Sequence, residues 1–361
     1  MGVLRDLIAT NGAIWLAAGG LVIGIAFGAI TAATNFCTMG AISDAVTLGD
    51  RRRWRAWLLA SATALAGAQL LAWAGLVDLS RSMYLSRTLN PVGNLAGGLM
   101  FGFGMVLAGG CPSRNLVRAG SGDLRAVLTL VVLGLFAFMS MGGIFGPARA
   151  ALEGATSFAL PAPTQSVGDV LGIWLGITSA RAAWMVTLAL VGLVLAYCFA
   201  GAEFRSSAVH VWSGIGVGLV VVAGWALTGL AFDEMALRPV APISLTYVRP
   251  IADALDWLER FTAAPLPGFG VASVFGAILG ALGVSIAKGR FRITAFADRG
   301  DTLRSLAGAA LMGVGGVLAL GCTIGQGVTG VSTLAIGSFL TFAAIVLGGI
   351  VGVRTLERWL I

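Results

Sequence analysis

Three of the four cysteines stand where an apolar run is broken by glycine or by small polar residues. They are Cys37, Cys111 and Cys322, and Gly110 and Gly321 directly precede the last two. A glycine-rich break followed by a new helix presents unpaired backbone N–H groups and the positive end of the helix dipole. A thiol at such a break can contact a soft, sulfur-bearing anion, and glycine lets the backbone approach that anion closely. These five residues therefore form the predicted substrate path.

An amide side chain follows two of these cysteines at the same distance. Asn115 lies four residues after Cys111, and Gln326 lies four residues after Cys322. Neutral amides can donate hydrogen bonds to an anion without the cost of burying a charge in the membrane. We therefore add Asn115 and Gln326 to the predicted path.

Several of these features also have simpler explanations. A cysteine is often a small buried hydrophobe, and we interpret Cys198, which lies within an apolar run, in that way. Glycines at four-residue spacing commonly let helices pack closely. Arg114 and Arg118 follow Cys111 and could attract an anion. The usual excess of arginine and lysine in the cytoplasmic connections of membrane proteins explains their presence equally well.

The composition indicates what kind of element must hold these residues. Of 361 residues, 58% are hydrophobic and 11% are charged, and the mean hydropathy is +0.93. A soluble domain carries about 25% charged residues, so a water-soluble enzyme is excluded. The net charge of +7 is spread between apolar runs, which favours a membrane protein over a nucleic-acid-binding one. The cysteines stand too far apart for a zinc ribbon or a dithiol pair, and we expect no metal and no cofactor.

Nine charge-free runs are long enough to cross a membrane as helices. They cover residues 13–36, 56–77, 93–110, 126–146, 182–200, 211–232, 269–287, 305–322 and 333–353. The chain is therefore predicted to be an all-α polytopic membrane protein, a single transmembrane domain over residues 1–361. Arginine and lysine are concentrated in one of the two sets of connections between these runs. Because positive charge marks the cytoplasmic side, this distribution predicts an N-terminus outside and a C-terminus in the cytoplasm.

An internal repeat relates residues 98–118 to residues 309–329. Aligned without a gap, the two segments share glycines, a Val-Leu-Ala triplet and the Gly-Cys pair. The nine-span topology makes the copies run in opposite directions, related by a pseudo-two-fold axis in the membrane plane, which is the plan of many transporters. We expect a first half at 1–146, a second half at 269–361, and middle helices with outer connections at 147–268.

The three cysteine motifs resemble those of the YeeE/YedE family, whose characterised function is thiosulfate uptake. The matching segments are Asn35–Asp44, Gly109–Asn115 and Leu320–Gln326. The resemblance implies an hourglass-like, all-helical protein with inverted halves and short, broken or re-entrant helices near the midplane. It also implies that the cysteines of these motifs line the substrate path.

From this resemblance we expect a multi-pass transporter or permease, and no enzyme, in a bacterial inner membrane. Its substrate would be thiosulfate or a closely related sulfur anion. Besides lipid, the implied partner is a small sulfur-carrier protein in the cytoplasm, and we expect no nucleic acid. Two alternatives stay open: transport of a selenium or another sulfur compound, and an intramembrane thiol sulfurtransferase with Cys111 as nucleophile. The sulfurtransferase lacks a base, because the predicted spans contain no His, Asp or Glu apart from His210 at a span edge.

Overall fold

The computed structural model describes residues 11–235, 240–296 and 298–360. Within these ranges the chain forms fifteen α-helices. They are α1 (Gly12–Thr34), α2 (Thr38–Ser43), α3 (Arg52–Trp73), α4 (Pro91–Leu107), α5 (Pro112–Gly120), α6 (Leu124–Met141), α7 (Gly146–Thr156), α8 (Val167–Leu175), α9 (Ser179–Ala200), α10 (Ala202–Arg205), α11 (Ala208–Leu230), α12 (Val248–Glu259), α13 (Phe269–Ala287), α14 (Arg299–Leu318) and α15 (Ile336–Leu360). Two short strands, β1 (Thr88–Leu89) and β2 (Phe158–Ala159), pair antiparallel in the connections.

Each of the nine predicted spans lies on one of the long helices. In the described ranges, eight helical segments are long and apolar enough to cross a membrane. The ninth predicted span lies on α14, whose first two turns carry the charged residues Arg299, Asp301 and Arg304. The all-α polytopic fold predicted from the sequence is confirmed. The N-terminus, which we predict from the sequence to face the cell exterior, belongs to residues 1–10, and these are not among the described residues.

A glycine seam joins α4 and α14. Gly97 on α4 packs against Gly315 on α14, and Gly104 packs against Gly308. The numbers of the contacting residues rise along α4 and fall along α14, so the two helices are antiparallel. The opposite directions expected for the repeated segments are therefore observed. Only residues without a side chain allow two helix backbones to come this close.

Two further pairs of long helices are parallel. In the first, Gly20 of α1 packs against Phe269 at the start of α13, and Gly28 packs against Ala277. These contacts show that the glycines at four-residue spacing in α1 serve helix packing.

In the second pair, Gly214 of α11 packs against Ala56 of α3, and Gly229 at the end of α11 packs against Val77 just beyond α3. The pairs α1–α13 and α11–α3 therefore have the same relative direction.

Short helical pieces fill the breaks between the long helices, as the resemblance implies. A π-helical turn at Gly325–Gly330 and a 3₁₀-helical turn at Val331–Thr333 follow the break after α14. Two buried tryptophans anchor such pieces from neighbouring helices. The indole N–H of Trp57 donates to the Thr38 hydroxyl at 2.9 Å, and that of Trp225 donates to the Ser332 hydroxyl at 3.0 Å.

The turn between α5 and α6 is held by one carboxylate. Asp123 accepts hydrogen bonds from Arg118 at 2.7 Å and from Arg125 at 3.0 Å. Burial acts to raise the pKa of Asp123, but the hydrogen bonds from both arginines outweigh it and hold the pKa at about 2. The backbone at Leu124 also donates to Thr294, so this turn is tied to the connection that precedes α14.

Asp123→Asn should lower the free energy of unfolding by about 1–3 kcal/mol, because two partly buried guanidinium groups lose their charged acceptor. A carboxyl whose pKa is depressed on folding stabilises the fold above its unfolded value near 3.8 and loses that contribution as pH falls toward 2. Thermal unfolding of the purified protein in detergent measures both effects. The wild type should lose stability between about pH 4 and pH 2 more steeply than the variant.

Asp50→Asn is the matched control for this prediction. Hydrogen bonds from Arg52 also lower the pKa of Asp50 to about 2, but that pair is more exposed to solvent and is therefore screened. We expect a smaller change in melting temperature for Asp50→Asn. Equal melting temperatures for wild type and Asp123→Asn would contradict the role given to Asp123.

Candidate functional site

The two repeated cysteine breaks have the same backbone conformation. Gly109 and Leu320 end their helices in the left-handed region, with φ of 68° and 56°. The next residues, Gly110 and Gly321, have φ of 153° and 158°, a region that other residues rarely adopt. Their backbone N–H groups each donate at 2.8 Å to a carbonyl five residues earlier in the preceding helix. The sequence repeat is therefore also a repeat of backbone geometry.

Both repeated thiols lie at the start of a new helical piece. Cys111 is the residue before α5, and its sulfur lies 3.1 Å from the Ser113 hydroxyl. The sulfur of Cys322 accepts a hydrogen bond from the Gly325 backbone N–H at 3.3 Å, and the backbone N–H of Tyr247 also approaches it. Both cysteines are buried. Cys322 therefore lies beside backbone N–H groups, as predicted for contact with a soft anion, whereas Cys111 contacts a side-chain hydroxyl.

Cys37 forms a third break of the same kind. Asn35 ends α1 in the left-handed conformation with φ of 55°. Cys37 then caps α2, because its sulfur accepts the Gly40 backbone N–H at 3.4 Å. Its side chain is only partly buried. Each predicted site cysteine therefore precedes a helical piece, as the sequence suggested.

Cys111 lies near both of the other predicted cysteines, Cys37 and Cys322, and we call these three residues the thiol row. The fourth thiol does not join them. Cys198 is fully buried in α9, where its sulfur donates to the Arg55 carbonyl at 3.3 Å.

The two predicted amides point at the breaks themselves. The Asn115 amide nitrogen donates to the Gly110 carbonyl at 2.8 Å and to the Cys111 carbonyl at 3.3 Å. The Gln326 amide nitrogen donates to the Ala319 carbonyl at 2.6 Å, while its oxygen is buried without a partner. Both amides thus support the backbone of the breaks, a role that the sequence analysis missed. Contact with a substrate stays a prediction for both.

A polar cavity of about 170 Å³ is lined by Leu320 and Gln326, which flank Cys322 in the sequence, and we call it the Arg149 vestibule. Its polar lining includes Tyr84, Asn90, Asn94, Arg149, Gln165 and Gln326. Arg149 pairs with Glu153 at 2.6 Å, so the lining carries both signs of charge. The cavity lies at the Asn90 end of α4. No pattern in the sequence pointed to Tyr84, which comes from the connection between α3 and α4.

A second cavity of about 190 Å³ lies at the opposite end of α4, and we call it the Lys288 vestibule. Its polar and charged lining comprises Asn35, Arg114, Arg118, Ser121, Ser285, Lys288 and Arg290, and no acidic side chain among the described residues lines it. Arg114 also interacts electrostatically with Cys37, so the cavity adjoins that end of the thiol row. Arg114 and Arg118, for which the sequence analysis left two explanations open, therefore line a basic cavity. Their position suits attraction of an anion.

Comparison with known proteins adds an independent observation. The chain matches the family described as sulphur transport over residues 33–351, a range that includes all three cysteine breaks. It is 28% identical over 324 residues to the thiosulfate transporter TsuA of Spirochaeta thermophila, covering 86% of this chain and 90% of that protein. It is 27% identical over 325 residues to the thiosulfate transporter TsuA of Escherichia coli K12, covering 86% of both.

Proposed function

Because the chain belongs to the sulphur-transport family, we propose that it is a membrane transporter for thiosulfate or a closely related sulfur anion. The observation that carries the proposal is the row of Cys322, Cys111 and Cys37 between two polar cavities at opposite ends of α4. The Arg149 vestibule receives the anion, the three thiols pass it along, and the Lys288 vestibule releases it.

The charge distribution supports this path of the anion. A fixed cation beside the midplane would bind a dianion tightly and slow its release, whereas conduction needs several weak sites. The row offers thiols and backbone N–H groups without a fixed charge, and Arg149 and Lys288 line the cavities at its two ends. Gly110, Gly321, Asn115 and Gln326 belong to the same path in this proposal.

Uptake of radiolabelled thiosulfate tests the function directly. Cells that lack other importers of sulfur anions should accumulate label only when this chain is produced in their membrane. Uptake no faster than in cells without the chain would refute the proposal. Competition with unlabelled selenium oxyanions in the same assay decides whether a selenium compound is the better substrate.

The same assay separates a transporter from an enzyme. An intramembrane sulfurtransferase would turn over thiosulfate in detergent, without two compartments. We propose that this chain is not an enzyme and that it shows no such turnover. Sulfur transfer from thiosulfate by the detergent-purified chain would contradict this.

The Lys288 vestibule also suits a cytoplasmic carrier protein that receives the sulfur anion. Arg118 pairs with Asp123, but the remaining cations of the lining, Arg114, Lys288 and Arg290, would attract an acidic surface. A carrier would remove the anion from the inner end of the path and keep its concentration there low. Equally fast net uptake into proteoliposomes by the purified chain alone, with no carrier inside, would contradict any need for such a partner.

For the domain organisation, we propose one transmembrane domain built from two inverted halves. The packing of the helices supports α1, α3, α4 and α6 as the first half and α11, α13, α14 and α15 as the second. The parallel contacts of α1 with α13 then correspond to those of α11 with α3. On this basis the second half begins at Ala208, earlier than the boundary at residue 269 expected from the sequence.

We propose that the chain lies in a bacterial inner membrane with its N-terminus outside and its C-terminus in the cytoplasm. The basic connections near Arg52 and Lys288 support this orientation. Alkaline phosphatase fused before α1 should be active, and a fluorescent protein fused after α15 should be bright, because each reporter works on one side only. Both termini reporting the same side would refute the odd number of crossings.

A further inference from the structure

Three buried hydroxyls close to Cys322, those of Tyr84, Tyr247 and Thr323, have no hydrogen-bond partner among the described residues. Tyr84 is 2% exposed and Tyr247 is 0% exposed, so both side chains are almost fully enclosed by the protein. Thr246 lies beside the Tyr84 hydroxyl without meeting hydrogen-bond geometry. Unpaired buried hydroxyls are costly in a folded protein, which suggests that a ligand completes them.

Both tyrosines belong to the immediate surroundings of the Cys322 thiol. Each of the two side chains lies near that thiol. Tyr84 also lines the Arg149 vestibule, and the backbone N–H of Tyr247 approaches the Cys322 sulfur. The Tyr247 ring is fixed by Phe27, with 5.2 Å between the ring centres. The two tyrosines therefore connect the lining of this cavity with the surroundings of Cys322.

The inverted packing gives Tyr247 a counterpart in the first half. Cys37 immediately precedes the short helix α2, which follows α1. Tyr247 immediately precedes α12, which is the next helix after α11. Cys37 interacts with Cys111, and Tyr247 interacts with Cys322. A tyrosine in the second half thus stands where the first half has a cysteine.

We propose that Tyr247 and Tyr84, together with Cys322, form a fourth binding site on the path, which holds the oxygen atoms of a tetrahedral sulfur oxyanion. The inference rests on the proposed transport of thiosulfate and adds the outermost site of that path. A phenol is protonated at neutral pH and donates a hydrogen bond to a hard oxygen, whereas thiols suit the softer terminal sulfur. Thiosulfate presents both kinds of atom. The oxygens meet the hydroxyls on entry, and the terminal sulfur meets the thiols.

Tyr247→Phe tests the site because it removes one hydroxyl and keeps the ring on Phe27. The half-saturating concentration for thiosulfate uptake should rise by roughly tenfold or more, the size expected when a hydrogen bond to a charged group is lost. Inhibition of uptake by sulfate, which presents oxygens only, should weaken in the same variant. The matched control is Tyr197→Phe, because Tyr197 lies on α9 with its ring against Arg55, away from the path. It should behave as the wild type.

The outcomes separate this inference from the proposed function. If the wild type takes up thiosulfate and Tyr247→Phe, present in equal amount, has the same half-saturating concentration and the same sensitivity to sulfate, the fourth site is refuted and transport stands. If the wild type shows no uptake, the proposed function itself fails. If Tyr247→Phe does not accumulate in the membrane, the same two measurements on Tyr84→Phe decide. An unchanged half-saturating concentration there refutes the site.

Discussion

Cys111→Ala should reduce thiosulfate uptake to about a tenth of the wild-type rate or less, because the middle of the thiol row loses its only sulfur. A hydrogen bond to a charged group contributes about 1.5–3 kcal/mol, and neither neighbouring thiol can replace one lost at this position. The measurement is the initial rate of label uptake at equal amounts of protein in the membrane. Cys111→Ser should keep part of the activity, since a hydroxyl still donates but is harder and less polarisable than a thiol.

Cys198→Ala is the control that the chain itself offers. Cys198 is equally buried, yet it packs in α9 and donates to the carbonyl of Arg55, away from the row. Its replacement should leave uptake nearly unchanged. The assignment of the path would be wrong if Cys198→Ala abolished uptake in a normally produced protein while Cys111→Ala did not.

Gly321→Val should impair uptake by roughly tenfold even though every cysteine is kept. The φ of 158° at this position is strained for a residue with a side chain, and a Cβ would lie 3.3 Å from the Gln326 side chain. The break would then shift and move the Cys322 thiol away from the Gly325 N–H. Gly110→Val should act in the same way, because a Cβ there would lie 2.9 Å from the Arg114 side chain.

The matched control for both glycine variants is Gly283→Val. Gly283 lies in α13 with ordinary helical φ, and a Cβ there would meet nothing within 4 Å. Uptake should therefore stay close to the wild-type rate. Normal uptake by Gly321→Val and Gly110→Val, at normal amounts in the membrane, would show that the backbone of the breaks does not shape the path.

The long helices and the repeat were readable in the sequence for definite physical reasons. Charged side chains are excluded from the apolar runs, since lipid cannot solvate them, so each run marks a helix. The two Gly-Cys breaks align without a gap because the same sequence of backbone conformations requires glycine at Gly110 and Gly321. The left-handed conformation one residue earlier is tolerated by other residues at some cost in energy. There the first break has Gly109 and the second has Leu320.

The rest of the candidate site was hidden for equally definite reasons. The halves are offset by 211 residues at the cysteine breaks, but α1 and α11 begin at Gly12 and Ala208, so one alignment cannot relate both parts. Tyr247 and Cys37 share no residue type, and only packing relates them. The amide of Asn115 was recognised, but a sequence does not tell in which direction a side chain points. In the structure it is turned toward the backbone of its own break.

The arrangement of the halves limits how the protein can move. The close contacts at Gly97–Gly315 and Gly104–Gly308 are made between the proposed halves, and so are the pairs α1–α13 and α3–α11. The halves are therefore interlocked and do not stand side by side as two bodies. A rocking motion, in which one half tilts against the other to open each side in turn, would have to separate all of these backbones at once. We therefore expect motion during a transport cycle to be confined to side chains and short helical pieces around a stationary frame, as in a channel with narrow gates.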